Sequence, residues 1–247
     1  MLISKKHIAT ISAYALILSL LVTGLGANTS AVWYAHELGI REAGVIAAAI
    51  PGELIFSQST EAVFMIETFD RDGNSIRTGS GFFITAEGLA ITNLHVIDNA
   101  ASATVTLYNG DELRLRGVCA ESEEFNLAML SVDIVGNDYL TLADSDLIQT
   151  GNTVYAIGSP LGYINTMTAG IISRAKRIVD EAVLIQFTAP ISFGSGGSPL
   201  LNTQGHVIGV ASSSFSYGQN LNLAVPINYV KEMQPGEPAS LVEMLNR

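Results

Sequence analysis

A glycine- and serine-rich stretch at residues 186–202, QFTAPISFGSGGSPLLN, holds the residues of this chain best suited to chemistry. It ends in an apolar run, so we expect a tight loop that exposes its backbone and leads into a sheet. In the run G-S-G-G at 194–197 a hydroxyl stands among glycines. Such a loop usually serves chemistry. If its hydroxyl is the nucleophile of an acyl transfer, the site also needs an imidazole base, a carboxylate behind that base, and N–H donors for the oxyanion.

Five segments in the same order resemble trypsin-like serine proteases of the HtrA/Deg type. The loop at 186–202 is similar to the family pattern G-x-S-G-G-P-L. The other similar segments are GSGFFITAEGLAITNLHVI, NLAMLSVD, LADSDLIQTGNTVYAIGSPLG with the following TAGIIS, and GHVIGV with NLNLAVPIN. The resemblance implies an all-β fold, the trypsin-like pair of antiparallel β-barrels, with the active site between the barrels.

Residue by residue, the resemblance places His95 at the general base and Asn126 at the triad acid. Gly196 occupies the nucleophile position, Ser195 is the variable residue before it, and the N–H groups of Gly194 and Gly196 are those of the oxyanion hole. Glycine has no atom that can attack a carbonyl. An asparagine can accept a hydrogen bond from the imidazole but permits the wrong tautomer, an exchange that costs about 10⁴ in turnover in a working protease.

Other side chains close in sequence could replace the missing groups. Ser195 is one residue away, but a shift of one residue moves an extended backbone by about 3.3 Å and turns the side chain to the other side. The flanking glycines could let the loop be rebuilt around Ser195, so this alternative stays open. Ser198 lies two residues too late, and Asp98, three residues after His95, is expected to point near the histidine's own backbone.

The composition excludes several other functions. The net charge of −11 and the small basic group Arg174, Lys176 and Arg177 argue against nucleic-acid binding. The single cysteine, Cys119, cannot form an intramolecular disulfide and is expected to be a small buried hydrophobe. Neither His36 nor His206 has a second ligand at metal-binding spacing, so we expect no metal and no cofactor.

Short β-rich runs separated by Gly, Asn and Asp turns follow one another from residue 53, as in an antiparallel barrel protein. The Asn109–Gly110 pair predicts one hairpin. We expect a trypsin-like protease domain at 53–232 and a tail at 233–247, with no PDZ domain of the kind common in the HtrA group.

The N-terminus differs in kind. Residues 8–26 are uncharged and follow Lys5 and Lys6, so this stretch could span a membrane as a helix with the basic end inside. We expect a membrane anchor or signal segment at 1–30 and a juxtamembrane linker at 31–52. The predicted location is the cell envelope, with the domain on the exported side, or secreted if the segment is cleaved.

These observations predict an exported pseudoprotease that binds extended polypeptide in the former active-site cleft between the barrels. The alternative is an active serine endopeptidase that uses His95 and a displaced nucleophile, Ser195. Backbone pairing with the substrate is expected along Ser212, Ser213 and Ser214. The walls of the primary pocket, at 189–193 and 211–215, contain no acidic residue, so a small or apolar side chain is favoured. A third hypothesis is a scaffold that only presents a surface to an envelope partner.

Overall fold

A computed structural model of the chain describes residues 49–163, 165–179, 181–212 and 221–246. The expected anchor at 8–26, and the linker except for its last residues, lie outside the described residues. Within the described ranges, no helix is long and apolar enough to cross a membrane.

The N-terminal half of the domain is a closed six-stranded antiparallel barrel with the strand order β1-β2-β3-β6-β5-β4. Its strands are β1 (Val63–Phe69), β2 (Ser75–Phe83), β3 (Leu89–Asn93), β4 (Ser102–Thr106), β5 (Glu112–Ser122) and β6 (Leu127–Val132). β1 alternates buried and half-buried residues, because successive side chains point to opposite faces of a strand.

The C-terminal half repeats this architecture as a second closed barrel, with the order β10-β11-β12-β9-β8-β7. Its strands are β7 (Thr153–Gly158), β8 (Thr166–Val179), β9 (Ala182–Phe187), β10 (Pro199–Leu201), β11 (Val207–Ser212) and β12 (Asn222–Pro226). The expected pair of antiparallel barrels is therefore confirmed.

Residues that favour turns connect the paired strands at the positions predicted from the sequence. Between β1 and β2, the side chain of Asp70 accepts hydrogen bonds from the N–H groups of Asp72 and Asn74. Between β4 and β5, Gly110 has a φ of 88°, which glycine adopts without strain. The hairpin predicted from Asn109–Gly110 is thus present in the structure.

Apolar side chains fill each barrel and also the space between the barrels. Phe64, Ile66 and Leu130 are fully buried inside the first barrel. A further cluster combines residues of both barrels, including Phe82 of β2 and Val210 of β11. This shared core fixes the two barrels relative to one another, and the segments that carry the candidate site lie where the barrels meet.

Short helices close the domain: α1 (Gly52–Ser59), α2 (Leu94–Ile97), α3 (Ile227–Glu232) and α4 (Leu241–Met244). Ile55 of α1 is fully buried in the shared core. In the tail, the backbone of Ala239 pairs with Val118 of β5, and Ser240 caps α4 in a capping box with Glu243. The tail therefore packs on the first barrel.

Candidate active site

His95 lies on α2, a single helical turn that follows β3 directly. Side chains of the first barrel bind three carbonyls in and just after this helix. The hydroxyl of Thr68 donates to the carbonyl of Val96 at 3.2 Å. The guanidinium of Arg77 donates to the carbonyls of His95 and Asp98 at 2.6 and 2.9 Å. These contacts leave the position of the histidine backbone little freedom.

Asn126 lies in the loop before β6 and contacts this helix. It has a φ of 52°, a left-handed conformation that asparagine tolerates better than most residues. Its main-chain carbonyl accepts the N–H of Leu94 at 3.0 Å, and its side-chain Oδ1 accepts the N–H of His95 at 2.9 Å. Asn126 therefore satisfies backbone donors in the first turn of α2 as well as facing the imidazole.

The imidazole of His95 lies against the Asn126 amide. Nδ1 of the ring is 2.8 Å from Nδ2 and 3.2 Å from Oδ1 of the amide. Burial of the ring lowers the pKa of His95 below its ordinary value, and the charge of Arg77 acts in the same direction. The imidazole is therefore held predominantly in its neutral form near pH 7.

The loop after β9 consists of two successive type II turns. Ser195 N–H donates to the carbonyl of Ser192 at 2.9 Å, and Ser198 N–H donates to the carbonyl of Ser195 at 3.1 Å. The third residue of each turn, Gly194 or Gly197, has a φ of 88°. A type II turn requires a positive φ at this position, which explains the glycine spacing of the motif.

The N–H groups of Gly194 and Gly196 are available as donors in this loop. Among the described residues, the N–H groups of Gly194 and Gly196 make no hydrogen bond. The carbonyls of the same two peptide units are held: Leu161 N–H donates to the carbonyl of Phe193 at 2.8 Å, and Ser198 N–H holds the carbonyl of Ser195. Because a peptide unit is planar, fixing its carbonyl also fixes the direction of its N–H.

Ser80 on β2 attaches the loop to the first barrel. Its N–H donates to the carbonyl of Gly196 at 2.8 Å, and its hydroxyl donates to the carbonyl of Gly194 at 2.7 Å. The same hydroxyl accepts the N–H of Ser159 at 2.8 Å, and the carbonyl of Ser80 accepts the hydroxyl of Thr92. A fully buried serine thus connects β3, the loop after β7 and the glycine loop.

Ser195 faces away from this arrangement. Its side chain is 5 % exposed, and its Oγ accepts the N–H of Ser192. The hydroxyl lines a cavity of about 140 Å³ together with residues of β7 and β8, and neither His95 nor Asn126 belongs to that lining. Ser198 lines the same cavity and is 1 % exposed. The structure therefore does not bring either serine into the constellation of His95 and Asn126.

The remaining candidates have the following environments. Asp98 accepts a hydrogen bond from Asn99 through its carboxylate. Ser212 ends β11 and is fully buried, whereas Ser213 and Ser214 lie outside the described residues. Burial raises the pKa of the half-buried Cys119 thiol, which is therefore a poor nucleophile. In the described part of the chain, no group of His, Cys, Asp and Glu could hold a metal ion.

Three residues support the site without having been predicted from the sequence: Ser80, Arg77 and Leu161. The glycines on both sides of Ser80 are a signal in the sequence that this part of β2 is closely packed. A Cβ on Gly79 would lie 2.5 Å from Val96, and one on Gly81 would lie 2.4 Å from Phe64. Arg77 and Leu161 act through long-range hydrogen bonds that no local motif indicates.

Comparison with known proteins agrees with this geometry. The family model described as "Trypsin-like peptidase domain" matches residues 79–210, more than half of the chain. The chain belongs to the trypsin-like peptidase family. A "Probable periplasmic serine endoprotease DegP-like" of Halomonas elongata is 37% identical over 161 residues, covering 63% of this chain and 34% of the relative.

Two further similarities place the domain in the HtrA type of this family. "Putative serine protease HhoB" of Synechocystis sp. is 37% identical over 159 residues, covering 61% of this chain and 38% of the relative. The solved structure "HtrA-type protease AlgW with tripeptide" has a TM-score of 0.67 and 31% identity, covering 74% of this chain and 62% of that chain. The matched region thus spans about a third of the length of both curated relatives.

Proposed function

We propose that this HtrA-type domain is a pseudoprotease that binds extended polypeptide in the cleft between its barrels. The observation that carries the proposal is that hydrogen bonds from other segments fix the glycine loop, while Gly196 stands where the family resemblance puts the nucleophile. Ser80 and Leu161 bind carbonyls of the loop, and the N–H groups of Gly194 and Gly196 make no hydrogen bond among the described residues. These donors support our assignment of Gly194 and Gly196 to a former oxyanion hole, in a loop whose nucleophile position has no hydroxyl.

His95, Asn126 and Gly196 take the roles of former base, former acid and former nucleophile in this proposal. Polypeptide would bind in extended form beside the end of β11, from Ser212 to Ser214, through backbone hydrogen bonds. The cleft would favour small or apolar side chains, since the pocket walls contain no acidic residue.

We propose the exported side of the cell envelope as the location, with residues 8–26 as a membrane anchor or signal segment. The support is the uncharged sequence of that stretch after two lysines, together with a relative that is named as a periplasmic endoprotease. Fractionation of cells that express the full chain tests this. Recovery of the intact chain in the soluble cytoplasm would contradict it.

A fluorophosphonate probe and a casein assay test the catalytic part of the proposal. The probe labels only an activated serine, so the wild-type chain is expected to remain unlabelled and to leave casein intact. Ser195→Ala is the matched variant. Casein cleavage by the wild type that disappears in Ser195→Ala would establish the alternative, an active endopeptidase with a displaced nucleophile.

A further inference from the structure

The loop that carries Asn126 is attached to the second barrel by an aromatic stack. Phe125 directly precedes Asn126 and lies before β6 of the first barrel, whereas Tyr229 lies on α3, which follows β12 of the second. The two rings are nearly parallel, with 3.8 Å between their centroids and 8° between their planes. Both side chains are half-buried and pack against the core that the barrels share. Such a pair is favourable beyond the area that it buries.

Local hydrogen bonds set the shape of this loop. Phe125 N–H donates to the hydroxyl of Ser122 at 3.3 Å, and Asn126 N–H donates to the carbonyl of Glu123 at 3.2 Å. The partners in each bond are three residues apart, so they define a turn without fixing its distance from the second barrel. The aromatic stack supplies that constraint, because its second ring belongs to the other barrel.

The chain that follows α3 returns to the first barrel and pairs with β5. Gly236 N–H donates to the carbonyl of Cys119 at 2.9 Å, and Ala239 exchanges two backbone hydrogen bonds with Val118, at 2.8 and 2.9 Å. A Cβ on Gly117 would lie 2.4 Å from the carbonyl oxygen of Ala239. The close approach of the two backbones therefore requires glycine at this position.

The same C-terminal segment thus reaches the loop of Asn126 by two routes. Directly, the ring of Tyr229 lies on that of Phe125. Indirectly, the segment pairs with β5, whose last residue, Ser122, accepts the N–H of Phe125. Leu241 at the start of α4 is 5 % exposed and packs in the core of the first barrel, which anchors the far end of the segment.

We propose that the C-terminal segment at 227–241 positions Asn126 against the helix of His95, with Tyr229 as the positioning residue. Asn126 binds that helix through its main-chain carbonyl and its Oδ1, so a displacement of the loop would break both contacts. The inference rests on the proposed function, because it names what controls the former acid position of the same cleft. A partner that draws the segment off β5 would then change the cleft from a distance.

Amide hydrogen exchange of the full chain, followed by NMR near pH 7, tests the proposal. The reporters are the N–H groups of Leu94 and His95, which donate to the carbonyl and to Oδ1 of Asn126. Tyr229→Ala is expected to speed the exchange of both reporters about tenfold, because the stack no longer holds the loop. Tyr229→Phe keeps the ring and is expected to leave both rates within about twofold of the wild type.

Two comparisons separate positioning from a general loss of stability. Tyr139→Ala is the matched control, since Tyr139 lies between β6 and β7 and is 56 % exposed. This variant is expected to leave the reporters unchanged. The N–H groups of Val132 and Ala211, one from each barrel, are the reference amides in every variant. In Tyr229→Ala they are expected to change less than the reporters do.

Exchange of the wild type in low concentrations of urea provides a test that needs no variant. If the segment holds the loop, the N–H groups of Ala239 and Val118 are expected to open together with the reporters, with the same dependence on urea. Separate opening steps would overturn the proposal. Unchanged reporters in a folded Tyr229→Ala variant, or equal acceleration of reporters and reference amides, would overturn it as well.

These outcomes are distinct from those that test the proposed function, because exchange is measured without a peptide or a substrate. A failure of the exchange test would leave polypeptide binding in the cleft standing. Casein cleavage by the wild type would contradict the pseudoprotease and leave the positioning role of Tyr229 unaffected.

Discussion

The hydroxyl of Ser80 donates to the main-chain carbonyl of Gly194 at 2.7 Å, which connects the first barrel to the glycine loop of the second. The residues are far apart in sequence, and the serine is fully buried. The same oxygen accepts the N–H of Ser159. The direction of the loop's peptide units therefore depends on a side chain from the other barrel.

Ser80→Ala is expected to lower the free energy of unfolding by about 2–4 kcal/mol, because it leaves a partly buried carbonyl and a buried N–H without partners. Urea unfolding measures the change. Ser75→Ala on the same strand is the control, since Ser75 is exposed and bonds only the Glu67 carboxylate. Its effect is expected to stay within about 0.5 kcal/mol. Equal losses in the two variants would show that Ser80 does not hold the loop.

Gly197→Ala is expected to destabilise the domain by about 3 kcal/mol or more, through backbone strain and overpacking. The added Cβ would lie 2.1 Å from the carbonyl oxygen of Ser80 and 2.4 Å from Oγ1 of Thr92. Gly110→Ala is a matched control, because Gly110 has the same φ of 88° and nothing within 4 Å of its Cβ position. It is expected to cost about 1 kcal/mol. Similar melting temperatures for the two variants would disprove the close approach.

Restoring the missing carboxylate and hydroxyl tests the hypothesis that the site is that of a disabled protease. Asn126→Asp alone is expected to give no casein cleavage, because a correctly oriented base has no hydroxyl to deprotonate. Gly196→Ser alone is expected to give at most faint cleavage. The double variant is expected to be clearly the most active, since loss of a nucleophile costs about 10⁶ in turnover and triad effects do not add. A double variant as inactive as the wild type would contradict this arrangement.

The lowered pKa of His95 predicts a pH-dependent contribution to stability. The unfolded chain binds a proton at this residue near pH 6.5, whereas the folded chain binds it only at lower pH. The contribution is therefore complete above about pH 6.5 and is lost as the pH falls toward the folded pKa.

The measurement is urea unfolding of the wild type and His95→Gln near pH 7.5 and near pH 5. The wild type is expected to lose more stability than the variant between these two values, because the variant has no imidazole to protonate. The same change in both proteins would rule out a neutral, partly buried imidazole as the cause.

The sequence by itself was sufficient for the fold class. Strand periodicity and turn residues are local properties, so the barrel strands and the Asn109–Gly110 hairpin could be predicted from neighbouring residues. The loop motif predicted a tight loop that exposes its backbone, and Gly194 and Gly197 both have a φ of 88° there. These features depend on the spacing of residues along the chain.

Only the tertiary structure decided how the site residues are oriented. The amide direction of Asn126 depends on the backbone N–H of His95, and the N–H of Gly194 depends on Leu161, which holds the carbonyl of Phe193. The hydroxyl of Ser195 turned out to be buried against β7 and β8. Each of these facts is a hydrogen bond or a contact between segments distant in sequence, and no local pattern specifies which of two equivalent orientations such a contact selects.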